Sequence, residues 1–147
     1  NPYTTLRLQE EVGEDIRISV ADENVWFHNM TQLGHRWLLT YTPHMYQVPG
    51  RLPIKEYTDL VIAGEITKAA EVSASLTPIR MANAKWIMEP WRKGHMTMGA
   101  MKTWMELIGM AGGPVRPPVV PITDSEKDAL RADLERVGLL QKAKAGV

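Results

Sequence analysis

The chain has 147 residues, with 17 basic and 17 acidic side chains and a formal net charge of zero. That is one domain's worth of polypeptide, and its charge balance argues against a bulk electrostatic partner such as a nucleic-acid backbone or an anionic membrane. It holds no cysteine, which excludes a disulfide framework, a zinc–thiolate site and a thiol nucleophile, and its 44% hydrophobic and 23% charged content is that of a globular protein.

Pro2 to Val12 is short and polar, with Leu6 and Leu8, and reads as the end of a helix or a loop stopped by Gly13. Asp15 to Val20 alternates apolar and polar residues and is rich in β-branched side chains, the pattern of a strand. Asp22 or Asn24 caps a helix that runs to about Leu33, with Gly34 as its stop. Trp37 to Tyr41 is nearly all apolar, as a strand buried on both faces would be. Strand, helix, strand in this order is a βαβ unit.

Beyond it the pattern is helical. Tyr41 to Pro53 holds three prolines and Gly50 and is a loop. A helix over Ile54 to Ala63 is stopped by Gly64. Another starts near Glu65 with apolar residues at three-and-four spacing, and Pro78 kinks or splits it. Glu89 to Gly94 reads as a loop. Thr97 to Met110 sets Met98, Met101, Met105 and Ile108 on one face, beside Trp104 and Leu107. Pro114 to Pro121 is extended. Thr123 and Glu126 form a capping box for a last helix whose face is Leu130, Leu134 and Val137. Lys142 to Val147 is expected to be a frayed tail. Five Trp and nine Met beside one Phe suggest an adaptable apolar surface. Runs such as Trp37-Leu38-Leu39 are far too short to span a bilayer, and no signal peptide is visible.

A two-stranded parallel sheet is not stable alone, so this organisation predicts part of a larger α/β fold. The stretch Gly112 to Leu140, GGPVRPPVVPITDSEKDALRADLERVGLL, resembles the C-terminal end of the dihydrodipicolinate synthase and N-acetylneuraminate lyase superfamily. Gln32-Leu33-Gly34 and the segment LVIAGEIT at Leu60 to Thr67 are similar to it as well. The resemblance implies an α/β fold: the C-terminal part of a (β/α)8 TIM barrel, about two strands, plus a C-terminal helical extension. Residues 1–64 would be the last βα units and 65–147 the extension. Ile16 to Val20 would be barrel strand 7 and Trp37 to Tyr41 strand 8, with the chain beginning just after strand 6.

The same resemblance implies a lyase, an aldolase or dehydratase, that forms a Schiff base with pyruvate or a related 2-oxo acid. The lysine must be neutral to attack, which a desolvated pocket achieves. It would lie just before Asn1, so no residue of this chain is assigned as catalytic. Ala21, Asp22 and Glu23 would line the pocket, although Ala21 stands where the family tends to have glycine. Leu39 and Thr40 would contact the keto acid, and Trp26 and His28 would shape the pocket, with Trp37 and His44 also bulky near these turns. Asp22 as a helix cap and the strand residues as simple core are the structural alternatives. The four histidines show no metal spacing, so neither metal nor cofactor is expected.

The expected partners are the small 2-oxo acid, the N-terminal half of the same barrel and further copies in a dimer or tetramer, with no nucleic acid or membrane, in the cytoplasm. A sugar-acid dehydratase or an aromatic hydratase-aldolase of the same superfamily are the alternatives within the class. Outside it, a chain complete at this length would be a non-catalytic helical interaction module.

Overall fold

Apolar runs make strands only where other strands cover their edges, and here they do not. In a computed structural model, which describes residues 2–13, 15–19 and 21–140, the regular elements are helical. Val20 and the Lys142–Val147 tail lie outside the described residues.

The expected α/β class, and with it the two barrel strands, is corrected: among the described residues there is no β-strand. Residues 15–19 and 37–41 are irregular, and Leu38 is no more than an isolated bridge position. Ser19 Oγ donates to the Trp37 carbonyl at 3.2 Å and accepts from the Leu39 N–H at 3.1 Å, so one side chain stands where a backbone ladder would run. The physical reason is cover. A parallel pair needs burial on both faces, whereas Ile16 is 61% and Leu39 77% exposed.

The chain divides into two compact units. The first comprises the described residues up to Pro43 together with Pro53–Ala74. It holds α1 (Pro2–Val12), α2 (Trp26–Leu33), α4 (Pro53–Ile62) and nearly all of α5 (Ile66–Ser75). A 3-10 turn over Glu23–Val25 leads into α2, and Asp22 caps it by accepting the Asn24 N–H at 2.9 Å. α2 and α4 pack through Trp26 and Tyr57, both buried. The Trp26 indole N–H donates to Thr58 Oγ1 at 3.0 Å, and Phe27 meets Tyr57 edge-on at 6.4 Å. Removing such side chains from water contributes on the order of 2–3 kcal/mol each.

The second unit comprises His44–Leu52 and the described residues from Ser75 on. Met45 and Tyr46, from α3 (Pro43–Tyr46), are buried in a segment expected as loop. The expected helix at Glu65 splits rather than kinks, and Pro78 sits in the first turn of α6 (Thr77–Asn83), where its missing N–H costs nothing. α6 continues through a π-helical segment, Ala84–Met88, into α7 (Glu89–Arg92), so the expected loop at residue 89 begins later. The widened turn, with the Glu89 N–H on the Ala84 carbonyl, comes just before Pro90. In a regular helix the proline ring would crowd the carbonyl four residues back.

In α8 (Met98–Leu107) the buried line is Ala100, Trp104 and, just past its end, Ile108, not the methionines. Trp104 donates its indole N–H to the Met45 carbonyl at 2.8 Å. The capping box forms as the sequence predicts and starts α9 (Asp124–Arg136), which buries Leu130 and Leu134. Between α8 and α9 the proline-rich strap lies along α8. A Cβ on Gly112 would stand 2.2 Å from the Lys102 carbonyl, and one on Gly99 would stand 3.0 Å from the Val120 carbonyl. Lys102 Nζ ties the strap down at the Gly112 and Pro114 carbonyls, both at 3.0 Å. The Gly-Gly-Pro stretch is thus a close-packed crossing.

Candidate functional site

The residues expected to line a keto-acid pocket are spread over the first unit in different roles. Ala21 is exposed in a bend, and the Asp22 carboxylate is engaged in capping. Glu23 is fully buried and accepts the Tyr57 hydroxyl at 2.7 Å. Trp26 is buried on Thr58, and His28 is exposed on α2. Leu39 is exposed and Thr40 half-buried.

Sequence reasoning misses the charged centre of the second unit. Asp133 of α9 is buried and gathers three donors. Lys85 Nζ reaches its Oδ2 at 2.6 Å, Trp86 Nε1 reaches the same oxygen at 2.8 Å, and Arg136 binds Oδ1. Consecutive residues of a regular helix do not share a face. It is inside the π-helical turn that Lys85 and Trp86 converge on one carboxylate. Burial pushes the Asp133 carboxyl up, the largest single effect. The Lys85 and Trp86 hydrogen bonds and the Lys85 and Arg136 charges together outweigh it and hold the group below the usual carboxylate range. These charges satisfy one another between the π-helical segment and α9, which makes the centre a clamp.

The surface beside it is unfinished. At the end of α7 the His95 N–H donates to the Pro90 carbonyl at 3.0 Å and the Gly94 N–H to the Trp91 carbonyl at 2.9 Å. This pair of bonds is the Schellman motif, which turns the chain sharply. The turn brings the segment after Trp91 back beside the π-helical turn. A cavity of about 430 Å³ opens there, lined among others by Trp86, Pro90, His95, Met96, Thr97 and Ala100. Lys85, Ile122 and Glu126 complete its lining, so it mixes charged and apolar groups, and nearby Trp91 is 59% and lining Met96 63% exposed. In its wall the Thr97 hydroxyl is buried and finds no hydrogen-bond partner. Thr97 precedes α8 as its N-cap, but its side chain makes no capping bond. A buried hydroxyl left so costs about 1–3 kcal/mol. Nothing in the sequence marks this hydroxyl as unsatisfied.

Among the described residues, no group of three or more His, Asp or Glu side chains is arranged to hold a metal ion. No helix among them is long and apolar enough to cross a membrane.

Among curated proteins the chain is similar to the 4-hydroxy-tetrahydrodipicolinate synthase of Corynebacterium aurimucosum. The two are 30% identical over 119 residues, which takes in 78% of this chain and 36% of that enzyme. The chain thus spans about a third of the length of the curated relative it matches. No family model matches the chain, and no solved structure does.

The resemblance to the superfamily is corrected accordingly. It is a distant sequence similarity to one such enzyme, and the barrel strands that would define the fold are not found among the described residues. The TIM-barrel description falls with them. So does the lyase reading, whether aldolase or dehydratase, because barrel chemistry is built on the ends of strands. The pyruvate-type substrate and the Schiff base rested on that architecture. The N-terminal barrel half as partner needed two strands to join, and residues 15–19 and 37–41 are not strands. The dimer or tetramer was inferred from the family's C-terminal helices, and nothing among the described residues supports it.

Proposed function

We propose that the helical second unit acts as a non-catalytic interaction module, whose docking surface is the cavity between the π-helical turn and the start of α8. The carrying observation is the partnerless Thr97 hydroxyl in a cavity lined by exposed Met96, with exposed Trp91 one residue beyond the lining Pro90. Exposed apolar patches of this kind mark association surfaces. Tryptophan is enriched among the residues that dominate binding energy, and methionine adapts to irregular apolar partners. The matching partner is a polypeptide that inserts an apolar side chain and offers one polar group to Thr97.

The test is to replace methionine by photo-methionine in cells and map the cross-links by mass spectrometry. Adducts to one partner protein at Met96 and Met98, absent at the buried Met30 and Met45, support the reading. A Trp91→Ala variant, which keeps both photo-methionines, is expected to lose those adducts while keeping its helical circular dichroism. Adducts spread evenly over exposed methionines, or none to another protein, would overturn it.

A further inference from the structure

The first unit carries a separate cavity that neither the docking surface nor the expected keto-acid pocket uses. It measures about 410 Å³ and is lined by Gln9, Ile16, Arg17, His35, Arg36 and Trp37 together with smaller neighbours. Its chemistry is one-sided. Two arginines line it, and among its described lining residues there is no carboxylate. Arg17 lies over the Trp37 ring at 5.0 Å, and Arg36 donates one N–H to the His35 carbonyl at 3.0 Å. A guanidinium has five donors, so both arginines keep most of theirs for an anion.

His35 supplies the second observation. The residue is only 5% exposed, and its Nδ1 has no hydrogen-bond partner. Its Nε2 lies 3.2 Å from Gln9 Oε1. A carboxamide oxygen only accepts, so Nε2 carries the proton and Nδ1 presents a bare lone pair. Burial lowers the pKa of this imidazole, which favours that neutral form. A ligand that satisfies the cavity therefore brings negative charge for the arginines, a planar apolar body for Trp37 and Ile16, and one donor for His35.

We propose that this cavity binds a small aromatic carboxylate bearing a hydroxyl donor. The carboxylate pairs with Arg17 and Arg36, the ring lies against Trp37, and the hydroxyl donates to His35 Nδ1. Charge-assisted, fork-shaped pairing with arginine is the strongest of these contacts, and the His35 bond selects the hydroxylated ligand.

The probe is 4-hydroxybenzoate, titrated into the ¹⁵N-labelled chain with benzoate as its comparison. The readouts are the Trp37 indole resonance and the His35 ring nitrogens. Saturable one-to-one binding with a shift at His35 Nδ1 is expected, with benzoate about tenfold weaker for want of one hydrogen bond. Arg36→Gln, an exposed position, is expected to weaken 4-hydroxybenzoate at least about tenfold with an unchanged amide spectrum elsewhere. Failure of the unaltered chain to saturate below about 10 mM would overturn the proposal. So would equal affinity for benzoate, or binding indifferent to Arg36→Gln. None of these outcomes depends on the docking surface of the second unit.

Discussion

The indole N–H of Trp86 meets the Asp133 carboxylate at 2.8 Å, on the same oxygen that Lys85 holds at 2.6 Å. Two neighbours in sequence thus clamp one acid on a different helix, and a π-helical turn makes this possible. The clamp joins the α6–α7 run to α9 without an unpaired buried charge, the condition under which a buried carboxylate is tolerated.

The clamp carries a pH dependence. The Asp133 carboxyl titrates lower in the folded chain than in the unfolded one. As pH falls, the unfolded state therefore takes up this proton first. The stabilisation is complete above the ordinary carboxylate pKa of about 4 and is lost as pH falls through the depressed folded value. Asp133→Asn is expected to be less stable than the parent near neutral pH. The gap between their urea midpoints should close progressively as the pH is lowered below about 4. A constant gap would show that Asp133 contributes by shape rather than by charge.

Glu23 and Tyr57 form the matching buried contact of the first unit, at 2.7 Å with both side chains out of water. Tyr57→Phe keeps the ring packing and removes the donor. It is expected to cost about 1–3 kcal/mol, the loss of one hydrogen bond to a buried acidic side chain, measured by urea unfolding. Glu23→Gln should cost less than Glu23→Ala, since the amide oxygen still accepts.

Gly112→Ala tests the strap. The added Cβ would stand 2.2 Å from the Lys102 carbonyl and 2.8 Å from a Glu106 side-chain carbon. The backbone carbonyl cannot rotate away, so the strap must lift. A loss of about 1–3 kcal/mol is expected by thermal or urea unfolding. Amide exchange should also speed up at Gly113, whose N–H donates to Glu106 Oε1 at 3.0 Å.

Thr123→Ala tests the start of α9. The hydroxyl accepts the Glu126 N–H at 3.2 Å and donates to Glu126 Oε2 at 2.8 Å, while the Thr123 N–H donates to the same oxygen at 2.7 Å. Loss of the cap is expected to cost about 0.5–2 kcal/mol. Glu126 is held below the usual range, first by the Thr123 backbone N–H and then by its hydroxyl. In the variant its pKa, followed by carbon NMR, should rise only in part, because the backbone donor remains.

Local signals were read well where the chain settles the matter within a few residues. The capping box at Thr123, Gly34 closing α2, and the break around Pro78 are present as their sequence predicts. Met45 and Tyr46, expected in a loop, are instead fully buried. Met98, Met101 and Met105 repeat on one face of α8, yet the small residue Ala100 and Trp104 take the buried side. Periodicity reports which residues could share a face, but not which of two apolar faces has a neighbour. The candidate sites were less legible still. Thr97, His35 and Asp133 earn their interest from what lies, or does not lie, within hydrogen-bond reach.

By itself the sequence determined the helices that carry their own start and stop signals, because caps, prolines and glycines act through the nearest hydrogen bonds. It also determined what chemistry was impossible without cysteine. Only the tertiary structure decided that residues 15–19 and the WLLTY segment are not strands. Their residues satisfy the pattern of a strand, but a strand's hydrogen bonds belong to its neighbours and not to itself. The same reason governs the clamp at Asp133, where the sequence supplies a lysine, a tryptophan and an arginine, and the folded second unit alone brings them to one carboxylate.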